Sequence, residues 1–240
     1  MGKTALFSAL KHNEYARALA KYLNVDMEQY EHTEWIVGTS QATNYIDIFG
    51  CLSSEEQIRG FLYYETLRIL LEHDHHLEAL LPDSLLKEMF GRPFAAEQCV
   101  LLNGETAYQL KSILEKVNQY YRKENTVVTI IYDALDRIVA PKDRTVFVSA
   151  LIDMWYMNET IMQNIRSKIF LRKDIYDREV HVPDKVKLKN YSVTIAWEYD
   201  QLFGMVWKRA ASASESAKKL YENITKKQMQ KISGLGYIPI

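Results

Sequence analysis

The 240-residue chain is poor in several features whose presence would place it in a class at once. It has two cysteines, Cys51 and Cys99, far apart and without metal-ligand spacing around either. A disulfide scaffold is thereby excluded, and packed free thiols in a reducing cytosol are expected. Charge of one sign is also lacking: 30 basic residues stand against 31 acidic ones, a net charge of −1. No global field therefore pulls the chain toward nucleic acid or an anionic membrane. No apolar run approaches the length of a bilayer span, and the N-terminus lacks the apolar core of a signal peptide. The expectation is a cytoplasmic protein without membrane or nucleic-acid partners. Repeats, low-complexity tracts and flexible linkers are missing as well. What is present is a hydrophobic content of 48%, enough for one α/β domain or a domain with a small appendage.

The most informative stretch is Thr126 to Val139, TVVTIIYDALDRIV. Val127, Val128, Ile130, Ile131 and Tyr132 form a nearly unbroken apolar run, which predicts a central parallel strand buried on both faces. Asp133 then falls at the carboxyl end of that strand, where open α/β sheets bind ligands, and Asp136 follows on the emerging turn. Two carboxylates so placed have the layout of a Walker B element. The first can hold Mg²⁺ directly or through water, and the second can orient an attacking water. The alternative is a buried strand followed by a helix that the aspartates merely cap.

The chain opens Met1-Gly2-Lys3-Thr4, before a segment whose leucines suit a helix. Gly-Lys-Thr at a helix start is the last part of a P-loop. There the lysine neutralises phosphate charge and the threonine hydroxyl ligates Mg²⁺. The first half of the motif is absent, so on this reading the sequence begins inside a larger protein's ATPase domain. Asn24 to Glu34 reads as a loop and Trp35 to Gly38 as a strand. Ser53 is the expected N-cap of a long helix, with Glu56 three residues on. His73, His75 and His76 crowd that helix's end. They suit its dipole, and no second ligand cluster supports a metal site. A further helix spans Thr106 to Tyr121 and ends at Asn125. Arg144 to Ile165 reads as one long helix with core aromatics, Lys168 to Leu171 as a strand ending at Arg172, and Ser192 to Trp197 as another strand. A helix after Glu198 and a charged, helix-permissive tail from Ala211 to Lys231 complete the reading. Buried strands alternating with helices predict a parallel sheet.

In this order, Gly-Lys-Thr, IIYDALDRI, KIFLRKDIY and VTIAWEYDQLFGMVWKRA resemble the STAND and AAA-like P-loop ATPases of bacteria. The resemblance implies a three-layer α/β fold with a mostly parallel central sheet and a C-terminal helical lid. It divides the chain into an ATPase core over residues 1–200, lacking its first strand, and the start of the lid over 201–240. Position by position it implies that Gly2, Lys3 and Thr4 bind nucleotide, that Thr4 and Asp133 hold magnesium, and that Asp136 and Arg172 act in catalysis. The implied cofactors are ATP and Mg²⁺. Ala134 stands where many AAA proteins carry an acidic residue, and the pattern Asp133-Ala134-Leu135-Asp136 is that of NACHT-type members. The implied activity is an ATPase switch or motor that self-associates or engages a partner protein, as in antiviral defence. A non-hydrolysing scaffold of the same fold and an α/β interaction domain with an accidental Gly-Lys-Thr remain the alternatives.

Overall fold

A computed structural model describes residues 32–39, 43–91 and 94–194, together with 14–15 and, further on, 215–216, 218–219 and 222–223. The chain divides into two compact units, residues 2–193 and residues 194–240 with Met1; the sheet and the helices that pack on it belong to the first. The segments Gly2 to Thr4, Ile195 to Trp197 and the helix expected after Glu198 lie outside the described residues.

Three strands build a parallel sheet in the order β1 (Thr33–Val37), β2 (Val127–Tyr132), β3 (Ile165–Ile169). Thr33 pairs with Val127 and Val37 with Ile131; Val128 pairs with Ile165 and Tyr132 with Ile169. The middle strand is the one the β-branched run predicts, and five of its six residues are buried. With neighbours on both edges and helices packed on the sheet, its two faces take mainly apolar side chains, Thr129 being the one buried threonine among them.

Between β1 and β2 the chain forms α1 (Tyr45–Cys51), α2 (Glu55–His73), a series of short helical turns, and α3 (Gly104–Lys123). Helix α2 is buried on every side from Gly60 to Leu70, where α3, the helix Arg144–Met157 and the sheet enclose it. Its cap falls one residue later than expected. Ser54 Oγ accepts the Gln57 N–H at 3.2 Å, while the Ser53 N–H and hydroxyl both donate to Gln57 Oε1. The reciprocal cap therefore uses Gln57 rather than Glu56, since Ser53 lies one residue too early to face the first free N–H groups. Helix α3 buries Ala107, Leu110, Ile113, Leu114, Val117 and Tyr121, one stripe at helical spacing. It stops at Lys123, and the turn after it passes through Asn125, whose φ of 52° is left-handed, a conformation asparagine tolerates.

After β2 come α4 (Leu135–Ile138), α5 (Arg144–Met157), β3 and α6 (Lys173–Glu179). The single helix expected over Arg144 to Ile165 is corrected: α5 stops at Met157 and β3 already begins at Ile165. Asn158 makes the break. It is buried, and its Nδ2 donates to Met154 O at 2.7 Å and to the Tyr63 hydroxyl at 3.2 Å. The strand expected over Lys168 to Leu171 is likewise shifted to Ile165–Ile169, where Ile165 is buried and Arg166 and Lys168 face outward. Of the strand expected at Ser192 to Trp197, the described part, Ser192 to Thr194, is not in a strand.

The core is rich in edge-to-face aromatics. Phe61 meets Tyr45 and Phe49, and Phe147 meets the same two rings, all with centroids 5.0–6.2 Å apart. At the entry to β3, Asn118 of α3 takes up the backbone. Its Oδ1 accepts from Asn164 N at 2.8 Å and Ile165 N at 3.1 Å, and its Nδ2 donates to Ile161 O at 3.0 Å.

Candidate functional site

In a parallel sheet every strand delivers its last residue to the same edge. Here that edge gathers Gly38 after β1, Asp133 after β2 and, two residues beyond Phe170, Arg172 after β3. The sheet pairing extends into these exits: Gly38 N–H donates to Ile131 O at 2.7 Å and Phe170 N–H to Tyr132 O at 2.8 Å. Gly38 is required by a close approach. A Cβ there would lie 2.5–2.8 Å from the Tyr132 ring. That ring is buried, packs against Trp155 at 6.4 Å, and has its hydroxyl pushed well above the usual tyrosine range by burial. The tip of the central strand is therefore held rigidly.

Asp133 leaves this tip half-buried. The next residue, Ala134, has φ 56° and ψ 30°, a left-handed conformation that an L side chain adopts at a cost of about 1–2 kcal/mol. The sharp turn this makes starts α4, with Leu135 buried and Asp136 on the same edge. Arg172 Nη1 lies 4.0 Å from Asp136 Oδ2. The sequence places Arg172 at the end of an apolar strand beside Asp133. The structure puts it at the N-terminus of α6, 58% exposed, and its nearest carboxylates are Asp136 and Asp174. With Asp174 it forms a forked pair, at 3.1 Å from Nε and 2.7 Å from Nη2. That hydrogen bonding holds the Asp174 carboxyl below its usual range.

A second arginine, which sequence reasoning missed, completes the edge. Arg144 at the start of α5 makes a forked pair with Glu179 at the end of α6, at 2.7 and 2.5 Å, with both side chains about three-quarters buried. Its guanidinium also feels Asp136 and Asp174, and the Arg172 guanidinium feels Asp136 and Arg144. Two arginines and three carboxylates thus interlock α4, α5 and α6 beside Asp133. The only sequence signal for Arg144 was its place at a helix start, where a cation is disfavoured unless paired.

Sequence reasoning also missed a buried polar network in the elements behind this edge. Glu65 of α2 accepts from Thr43 Oγ1 at 3.1 Å and the Tyr45 hydroxyl at 2.7 Å. Arg68 Nη1 donates to Thr43 Oγ1 at 2.7 Å, and its Nε and Nη2 donate to Glu72 Oε1. The signal was two opposite charges three apart within the apolar run of α2. Buried charges of this kind persist only when paired and hydrogen-bonded. The network ties the segment that follows β1 to the central helix.

The edge offers hard oxygen ligands at Asp133 and Asp136, and guanidinium donors at Arg144 and Arg172 that are already engaged by carboxylates. Among the described residues no group of three or more His, Cys, Asp or Glu side chains is placed to hold a metal ion by itself. No helix among them is long and apolar enough to cross a membrane. Gly2, Lys3 and Thr4, the other half of the expected site, lie outside the described residues. No protein-family model, curated protein or solved structure matches the chain.

Proposed function

We propose that the chain is an ATPase-fold module that binds Mg-ATP at the carboxyl edge of its sheet and acts as a nucleotide-dependent switch within a larger assembly. One observation carries the reading: a central parallel strand ends in Asp133, and the strand beside it leads to an arginine within 4.0 Å of the second carboxylate, Asp136. This is where an α/β sheet presents ligands, and both signs of charge needed for a metal-phosphate complex are there.

The residues present suit the metal. Mg²⁺ keeps several waters and takes only one or two carboxylates besides phosphate oxygens, so a site with Asp133 and no closed cage of protein ligands fits it. Bound Mg²⁺ would neutralise phosphate charge. Asp133 would orient the metal's water shell, Thr4 would add a hydroxyl ligand, and Lys3 would neutralise the terminal phosphates. Asp136 would accept a proton from, or orient, the attacking water, and Arg172 would respond to the terminal phosphate. The forked pairs of Arg172 and Arg144 favour a second reading, a scaffold that holds nucleotide without turning it over, because both guanidiniums are already engaged.

The test uses the protein at its full native length. Calorimetry with ATP in Mg²⁺ and in EDTA should show Mg-dependent binding. Lys3→Ala should abolish it, and Asp133→Asn should weaken it about tenfold, roughly 1.4 kcal/mol. Asp136→Asn should leave binding intact and lower phosphate release. Binding with no turnover in the unmodified protein would select the scaffold reading, and no nucleotide binding would overturn both.

A further inference from the structure

Cys51 and Cys99 stand far apart in the sequence, and the fold brings them together. Cys51 is the last residue of α1 and is exposed; Cys99 lies in the helical turn Ala96–Leu101 and is buried. Helix α1 packs directly on that turn. The Cys99 thiol donates to Ile48 O at 3.9 Å, which sets its sulfur against the last turn of α1. That carbonyl points toward the helix end, where it also accepts the Leu52 N–H at 3.2 Å. Cys51 follows Ile48 by three residues, so its side chain leaves the same face of the helix. Burial first, and then the charge and side-chain hydrogen bonding of the neighbouring Cys51 thiol, push the Cys99 thiol up to about 11.

A buried cysteine by itself is a packing residue. A second thiol beside it, with one sulfur open to solvent and the other enclosed, is a different arrangement. The open thiol meets an oxidant first, and the enclosed one is already placed to attack what forms there. Both sides of the pair are anchored. Gln57 Nε2 of α2 donates to the Cys99 carbonyl at 3.3 Å, and the Tyr45 hydroxyl ties the start of α1 to Glu65 at 2.7 Å. A disulfide needs its two α-carbons within about 7 Å, which two contacting helical turns with neighbouring thiols can supply.

We propose that Cys51 and Cys99 form an oxidisable pair that a hydroperoxide closes to a reversible disulfide, Cys51 meeting the oxidant and Cys99 resolving it. Hydrogen peroxide transfers one oxygen to the Cys51 sulfur, leaving a sulfenic acid and one water. The Cys99 sulfur then attacks that sulfur: the S–S bond forms, the S–O bond breaks, and the hydroxyl leaves with the Cys99 proton as a second water. Two thiols give up two electrons and one peroxide takes them. At neutral pH little of the Cys99 thiol is ionised, so Cys51 reacts first and closure follows slowly. The bond closes a loop that contains α2 and pins α1, the first helix after β1 leaves the carboxyl edge. The inference does not rest on the nucleotide reading.

The full chain is incubated at length with hydrogen peroxide at mildly alkaline pH, denatured in an alkylating reagent, and weighed by mass spectrometry. The treated chain should be lighter than the reduced one by two hydrogens and should take up no alkyl group. Its peptide map without reductant should join the Cys51 peptide to the Cys99 peptide, and dithiothreitol should separate them. The oxidised chain should melt about 4 °C or more above the reduced one, because the bond restricts the unfolded chain. Cys51→Ser, a change at an exposed position, should abolish the loss of hydrogens and the rise in melting temperature together. Oxygen added at Cys51 without a bond to Cys99, a bond formed between two chains instead of within one, or the same loss of hydrogens in Cys51→Ser would overturn the proposal.

Discussion

Gly38→Ala introduces a methyl group where the fold has no room for one. The added carbon would sit 2.5, 2.6 and 2.8 Å from three carbons of the Tyr132 ring, where ordinary contact begins at 3.4 Å. Something must therefore move by roughly 1 Å. Neither side yields readily. The ring is buried against Trp155, and the Gly38 N–H is fixed on Ile131 O at 2.7 Å. Overpacking of this kind costs about 1–3 kcal/mol. At about 2–4 °C per kcal/mol for a domain of this size, the melting temperature should fall by roughly 2–12 °C. Urea unfolding followed by tryptophan fluorescence should show a lower midpoint with an unchanged slope. The mechanism itself is tested by a double-mutant cycle with Tyr132→Val. Removing the ring should erase most of the alanine's penalty, a coupling of about 0.5–3 kcal/mol. An unchanged midpoint for Gly38→Ala, or additive losses in the cycle, would refute the steric account.

Asn118→Ala strands two backbone N–H groups at the start of β3, and at about 1–3 kcal/mol for each it should destabilise the fold by about 2–6 kcal/mol in chemical denaturation. Ala134→Gly should be neutral or stabilise by up to about 1 kcal/mol, and Ala134→Val should destabilise by thermal melting, because only glycine is unstrained at φ 56°. The Arg144 guanidinium holds Glu179 below its ordinary 4.5, so the pair's contribution is fully present above that pH and is lost as pH falls through the depressed value. Stability measured from pH 6 downward should accordingly be flatter for Glu179→Gln than for the unmodified protein. Cys51 is exposed while burial pushes the Cys99 thiol up to about 11, so an aromatic disulfide reagent at neutral pH should titrate one thiol quickly and the second only after denaturation.

The elements legible in the sequence are those whose burial is one-dimensional. Strand β2 needed only its run of β-branched residues, and α3 only its stripe from Ala107 to Tyr121, because each pattern has a single period. The end of α5 was not legible, since Asn158 stops the helix through Tyr63, 95 residues away. Without that partner, Ile161, Met162 and Ile165 continue a helical pattern, and the alternation of Ile165, Ser167 and Ile169 in β3 is absorbed into it. The serine cap was misplaced for a smaller reason: two adjacent serines offer the same chemistry, and only backbone geometry selects Ser54. At the candidate site, Asp133 and Asp136 followed directly from the strand's end. The forked pair of Arg144 with Glu179 did not, because Glu179 reaches it only after α6 folds back on α5, whereas Arg172 meets Asp174 two residues along its own helix.

Three of the charged groups at the carboxyl edge, Asp133, Asp136 and Arg172, differ in how firmly they are held, and the difference bears on a switch. Asp133 comes straight off a strand with partners on both sides and a buried tyrosine before it, so its position is set by the sheet. Asp136 rides on a single helical turn, fixed by buried Leu135 and by the Arg137 N–H donating to Ala134 O at 2.9 Å. Arg172 has the least support. More than half of its side chain is exposed, and a neighbouring aspartate on its own helix holds it. An exposed pair of this kind contributes little to stability, because solvent screens it. A phosphate carrying more charge than Asp174 could draw the guanidinium away at little cost, whereas the same phosphate could not move Asp133. Under the proposed function the rigid carboxylate therefore serves binding and the weakly held arginine serves sensing. Moving Arg172 releases Asp174 at the start of α6, whose other end is clamped to α5 by Arg144 and Glu179. The nucleotide's terminal phosphate would in this way reach α6 through one exchange of ion-pair partner, with the α5 clamp as the fixed pivot.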